Sequence, residues 1–498
     1  MSPRGVRPLR AGLHASRLSA PRLFWYAIAA VTPLTIVISA VPIGFGQLEQ
    51  IATPAGYLLA AAVLAVFSVG LSAVAQHVPN AGALYSYVAA VSKTAAVGTA
   101  VMALLAYATI LIGLYGAFGS AVERVVHPGG QGAWWPMWAI GGWAVVTCLV
   151  QLNLRTNAII LGVLVAAEAG YVIAVDLVLL AHPADGYPLT ALNPAPLASF
   201  TGLGSLMGAI TGFLGFEIVL AFALVAVDPS TTVRRSIRAV LAVTGLLYGA
   251  TAWIMTVAAG PDRIIALAQE HGPGLFFHLA APYVPGEVIE AGAVLYAGGL
   301  FAAILAFSST IGRYILTLAR EGILPGWLAI IRGERVPVAA GLAQAALTLT
   351  VLALCVGAGV DPDRDLFFYA TTAGGLGVLF CMTQTAIAVP VFLHRNPHGE
   401  PWLRRRAAPI TAALLLAAIT VLSAVLFGEL VNTTSTIAAL TPPVTYLSVI
   451  AVTTLWARWL RRHRPHVYQA IGHGSGALTP AAPELVSLAG AVAEPARR

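Results

Sequence analysis

The sequence is short of charge, of lysine and of cysteine. Only 9% of its 498 residues are Asp, Glu, Lys or Arg, against roughly a quarter in an ordinary soluble domain, which excludes a soluble globular enzyme. The three cysteines, Cys148, Cys355 and Cys381, all lie inside apolar runs, so no disulfide framework is indicated. No histidines stand at metal-ligand spacing, and a bound metal or other cofactor is not expected. Neither His-Glu-x-x-His nor a local Ser and His pairing occurs, which argues against a membrane-embedded hydrolase or acyltransferase. Lys93 is the only lysine among 27 basic residues, a bias that suits a GC-rich bacterial genome and hence a bacterial cytoplasmic membrane.

What the chain has instead is apolar length, with 58% of its residues in the AVILMFWYC class. Twelve membrane crossings of ~20 residues each fit comfortably. The uncharged runs fall near 23–46, 55–77, 96–122, 134–153, 157–181 and 200–227, then 236–260, 287–317, 337–358, 366–393, 407–428 and 436–458. This rhythm predicts an all-α polytopic membrane protein with twelve transmembrane helices. With twelve spans both termini share a side, and 24 of the 27 basic residues fall on that side, leaving Arg124, Arg263 and Arg364 opposite. Basic residues in short loops are retained in the cytoplasm, so both ends are expected there, and the net charge of +7 marks cytoplasmic loops rather than a nucleic-acid partner. Residues 1–22 and 461–498 read as flexible cytoplasmic tails, with no cleavable leader distinct from the first span.

Two spans are interrupted. In the first, Thr32-Pro33 and then Pro42, Gly44 and Gly46 sit within an uncharged run of membrane length. Proline removes an amide donor and clashes with the preceding turn, and freed backbone groups at membrane depth persist only when buried in protein or facing a wet cavity. In the sixth, Gly212-Phe213-Leu214-Gly215-Phe216-Glu217 brings glycines and a carboxylate into an apolar segment. Broken helices at corresponding places in two halves point to a secondary transporter with a midplane site. The alternative is a pair of kinks that serve helix packing alone.

Four segments together resemble the amino acid-polyamine-organocation transporters, in particular their prokaryotic amino acid permease branch. They are the broken first span, Pro79 to Val88 after span two, Gly212 to Glu217 with Asp228-Pro229 and Arg234-Arg235, and Arg313-Tyr314 with Ala319 to Pro325 after span eight. The resemblance covers about 23–460. It implies a five-plus-five inverted repeat with broken helices 1 and 6, a transport core over 23–393, two peripheral helices over 394–460, and alternating access. It also implies transport of an amino acid or related amine across the membrane, by proton-coupled symport, with a sodium-coupled symporter, an exchanger or an exporter as alternatives. A non-transporting sensor of the same fold is a remoter one. The glycine-rich stretch usual in the family's first break reads here Thr35-Ile36-Val37-Ile38-Ser39-Ala40, so side chains restrict approach to the backbone.

On this reading the substrate contacts come from Thr32, Thr35, Ile36, Val37, Ile38 and Ser39 in the first break. Gly212, Phe213, Gly215, Phe216 and Glu217 supply them in the second, and Tyr107 in span three. An acid buried at mid-helix is costly and usually serves transport. Glu217 would meet a substrate ammonium or clamp the unwound backbone. Glu168, in span five, resembles the place where proton-coupled relatives put a lysine in lieu of sodium, and is the expected proton carrier, the alternative being a permanently protonated acid that donates one structural hydrogen bond; Asp176 lies two turns further on. Ser308 and Ser309 in span eight offer hydroxyls for a cation if coupling is to sodium. The partners expected are therefore a small-molecule substrate, a proton or sodium ion and the lipid bilayer.

Overall fold

A computed structural model describes residues 19–474 apart from 76–77, 79–82, 128, 130–131, 153, 226–228, 332–335 and 397–400. The start of the Pro79 to Val88 segment, Asp228, the first tail up to residue 18 and the last from residue 475 lie outside the described residues. Every element among the described residues is helical. Among the described residues eleven helices are long and apolar enough to cross a membrane. They follow the expected spans to within a few residues, from Ala20–Gly46 to Thr436–His463. The twelfth apolar helix, Trp135–Val150, has only 16 residues, a rise of about 24 Å against a hydrocarbon core of about 30 Å. Pro136 in its first turn and a stop at Gln151 set those limits.

Four of the helices among the described residues start where a polar side chain takes up free amides. Ser92 accepts from the Ala95 N–H, Ser199 from Gly202 and Ser435 from Ala438, while Asp361 accepts from both Asp363 and Arg364. Each such cap is worth about 1 kcal/mol. Between helices, small residues allow close approach in lipid. Gly113 and Gly116 of span three lie against the main chain of Leu366 and Pro362, and Gly119 against that of Trp135. The outward faces carry Val163, Leu246, Leu354 and Val425, each well over half exposed, as a surface bathed in acyl chains requires.

Both interruptions are present. The first span runs as an α-helix from Ala20 to Val31 and stops at Thr32, whose φ of 51° is left-handed. That conformation costs a β-branched residue about 1–2 kcal/mol, and Pro33 disfavours the right-handed helical alternative at the residue before it. One short turn, Pro33–Thr35, leads into a wide π-helical turn, Ile36–Ala40, and then Val41–Gly46. The sixth span is helical over Phe200–Thr211, turns through Gly215 at φ 116°, and resumes as a tight 3-10 helix over Phe216–Val225. A methyl on Gly215 would stand 2.9 Å from the main chain of Ala30, so the two breaks meet here.

The two ends of the bundle differ. At the arginine-rich end, the helix Ala83–Ala89, the start of span three and the chain beyond span twelve lie together. Lys93 Nζ donates to the Gln469 carbonyl, and Thr94 pairs with the Tyr468 hydroxyl at 3.0 Å. Glu321 accepts from Tyr85 and from the amides of Gly472 and Gly474. A short helix, Pro465–Ala470, lies at this end, and just past it the amides of Gly472 and Gly474 meet the fully buried Glu321 carboxylate. At the opposite end Arg124 pairs with Asp363 at 2.8 Å, and the helix Ile264–His271 covers the end of span one, where Gln269 donates to the Gly46 carbonyl and to Glu49.

Candidate functional site

A cavity of about 150 Å³ lies between the two breaks. Thr32, Thr35, Ile36 and Ser39 form one wall and Gly212 with Thr211 another. Leu48, Phe367 and Leu430 line its upper part, so it extends from the breaks toward the end opposite the arginines. Of the residues expected to touch substrate, these four of span one and Gly212 of span six therefore share one cavity.

The others lie around it. Val37 and Ile38 are buried on the far side of the π-turn, because successive residues of a helical turn cannot all face one way. Phe213 packs edge-on against Tyr248 at 5.5 Å, and Tyr57 lies 6.3 Å from it. Gly215 and Phe216 are turned into the protein, and Glu217 is clamped rather than free. One of its oxygens accepts the Gly215 N–H at 2.9 Å and the other the Tyr107 hydroxyl at 3.0 Å. Tyr107 thus stands beneath the cavity as part of this clamp. It continues a stack of rings, Tyr107 with Tyr314 at 6.1 Å and Tyr314 with Tyr85 at 5.6 Å. Tyr26 and Phe222 stack at 4.6 Å, with the Arg313 guanidinium 5.0 Å above Phe222. The arginine-rich side of the breaks is therefore sealed.

Glu168 sits directly behind the first break. It is 1% exposed, and one oxygen accepts the Leu34 N–H at 3.4 Å. The other has no hydrogen-bond partner among the described residues. The carboxyl fits against span eight only because residue 299 is glycine, since a methyl there would come within 2.3 Å of it. Asp176 faces elsewhere, bonded to Thr251 of span seven at 2.5 Å. Ser308 and Ser309 are buried but stand nine and ten residues past Gly299, roughly 14 Å along the helix, so they are not brought to Glu168.

Several wall residues were not anticipated from the sequence: Tyr57 of span two, Ser205 at the start of span six, Phe307 of span eight, and Phe367, Phe368 and Thr371 of span ten. Phe367 and Phe368 sit in a second wide turn, Pro362–Ala370, and Thr371 directly follows it; Pro362 after an acidic cap was the only local signal for that turn.

Comparison with curated proteins finds no match. A family described as amino acid permease matches residues 18–456, which takes in both breaks and all but the end of the last span. The chain belongs to that amino acid permease family, within the amino acid-polyamine-organocation superfamily.

Proposed function

We propose that this amino acid transporter is a proton-coupled symporter that works by alternating access, with Glu168 as its proton carrier. The family and the many apolar helices make the chain a multi-pass membrane transporter of amino acids rather than an enzyme. The finer reading rests on one observation, the place of Glu168. It is bonded to the backbone just past the break that lines the cavity, and no cation is paired with it among the described residues. Leaving a bare charge uncompensated inside the protein costs several kcal/mol. A bound proton removes that charge, and rocking of the first span changes what the carboxyl faces.

The arginine distribution supports a bacterial inner membrane with both termini cytoplasmic. On that orientation the cavity lies toward the outside and the sealed ring stack toward the cytoplasm. Substrate enters from outside while Glu168 holds its proton. Opening inward then requires the Tyr107–Glu217 clamp and the rings below it to part, and wetting of Glu168 from the cytoplasmic side lets the proton leave with the substrate.

Purified protein in proteoliposomes tests this, with the proton gradient and the sodium gradient varied independently and alanine and leucine as probes. A proton gradient should drive accumulation, and sodium should not matter. Glu168→Gln should abolish gradient-driven accumulation while preserving exchange of internal for external amino acid. Sodium-dependent uptake indifferent to the proton gradient would overturn the assignment, and exchange without net uptake in the unaltered protein would replace symport by antiport.

A further inference from the structure

We infer that the cavity selects a neutral amino acid with a small or branched aliphatic side chain, held at its carboxylate by the Thr35 hydroxyl. This rests on the transporter reading above and narrows its substrate. Among the described residues the cavity wall carries no Asp, Glu, Lys, Arg or His. The nearest acids are not available to a ligand. Both oxygens of Glu217 are occupied, and Glu168 lies behind Leu34 and Gly299. A side-chain ammonium, guanidinium or carboxylate brought into the cavity would lose its water and gain no charged partner, which disfavours it strongly.

Most hydroxyls of the wall are also committed. Thr32, Ser39, Thr53, Thr211, Thr371 and Thr372 each donate to a nearby main-chain carbonyl. Thr35 does not. Thr35 lines the cavity, is 2% exposed, and its hydroxyl oxygen has no hydrogen-bond partner among the described residues. A buried polar atom without a partner is rare in a native structure and calls for an explanation. A ligand oxygen supplies one. Its place beside the first break puts the substrate's charged head there and the side chain toward Ile43, Ile110, Leu114 and the Phe367–Phe368 wall.

Bulk sets the upper limit. The cavity is about 150 Å³, and an apolar cavity of about that size in another protein accepts a benzene-sized guest. Valine and leucine suit it better than an indole or a long cationic chain.

The test uses the full-length protein in proteoliposomes, with uptake and thermal stabilisation measured for single amino acids at equal concentration. Valine and leucine should be transported and should stabilise, with lysine, arginine and glutamate weaker by about tenfold or more. A charged amino acid equal to or better than leucine overturns the class while leaving the transporter reading intact. Absence of uptake and stabilisation by every amino acid overturns both. For the anchor, Thr35→Val should raise the apparent dissociation constant for leucine by about tenfold or more, as loss of a hydrogen bond to a charged group does, with Thr35→Ser close to the unaltered protein. Leucinol, which lacks the carboxylate, should lose binding similarly to the unaltered protein, a measurement that needs no variant to fold. Unchanged affinity in Thr35→Val, or leucinol binding as well as leucine, overturns the anchor.

Discussion

Glu217 and Glu321 are both buried carboxylates held by main-chain amides and a tyrosine, one within the membrane and one outside it. Glu217 joins Gly215 of its own break to Tyr107 of span three. A buried hydrogen bond to a charged group is worth about 1.5–3 kcal/mol. Glu217→Gln, normally expressed, should therefore cut uptake by more than about tenfold, and near-normal uptake would reject the clamp. Glu321 lies just past span eight, where burial pushes its carboxyl from 4.5 up to about 7. A carboxyl raised on folding contributes stability fully present below its unfolded value and lost as pH rises through the folded one. Thermal stability should accordingly fall as pH climbs from 4.5 through about 7, and Glu321→Gln should flatten that part of the profile. An equal slope in both proteins would show that the docked tail does not depend on this proton. At this scale the sequence marks Glu168 and Glu217 by their cost inside an apolar run. It gives no sign that Thr35 keeps an uncommitted hydroxyl, because that depends on the carbonyl each neighbouring hydroxyl reaches in the folded helices.

The broken spans show what is legible at the level of elements. Charge interruptions fix the span limits within a few residues, since lipid punishes charge residue by residue. Thr32-Pro33 and Gly212 to Gly215 locate the breaks because proline and glycine change the backbone directly. The first break is nevertheless narrower than the sequence suggests: helical geometry returns at Pro33, and a π-turn carries Ile36–Ala40, so alternate residues of that stretch face away from the cavity. The wall contributed by span ten and the covering helix Ile264–His271 were not legible, since both are defined by what they pack against rather than by their own pattern. Two glycines test the arrangement. Gly215→Ala forces a side chain onto a backbone at φ 116° beside Ala30, a strain of about 1–3 kcal/mol. It should lower the melting temperature and the uptake together; a variant as stable and active as the parent would mean the breaks do not need this contact. Gly299→Ala should push the Glu168 carboxyl away from span eight and weaken proton-driven accumulation more than exchange. Equal losses in the two assays would make Gly299 a packing residue only.

Over the whole molecule, the asymmetry between the two ends carries the account. The arginine-rich end is closed by the Glu217 clamp, a column of tyrosines and the docked segment after span twelve, while the cavity between the breaks lies toward the other end. An alternating-access cycle requires a second arrangement in which that relation is reversed about the same site. Sequence alone conveys the all-helical class and the membrane setting, and the family match over residues 18–456 adds the transport class. The cavity wall, drawn from six different spans, depends on how those spans are arranged in space. The most direct measurement is an experimental density map of the protein with leucine bound at saturation. The account predicts leucine between Thr35 and Gly212, its carboxylate within hydrogen-bond distance of the Thr35 hydroxyl and its side chain against Phe367 and Phe368. Leucine seated elsewhere, or first and sixth spans running as unbroken helices with nothing lodged between them, would contradict it.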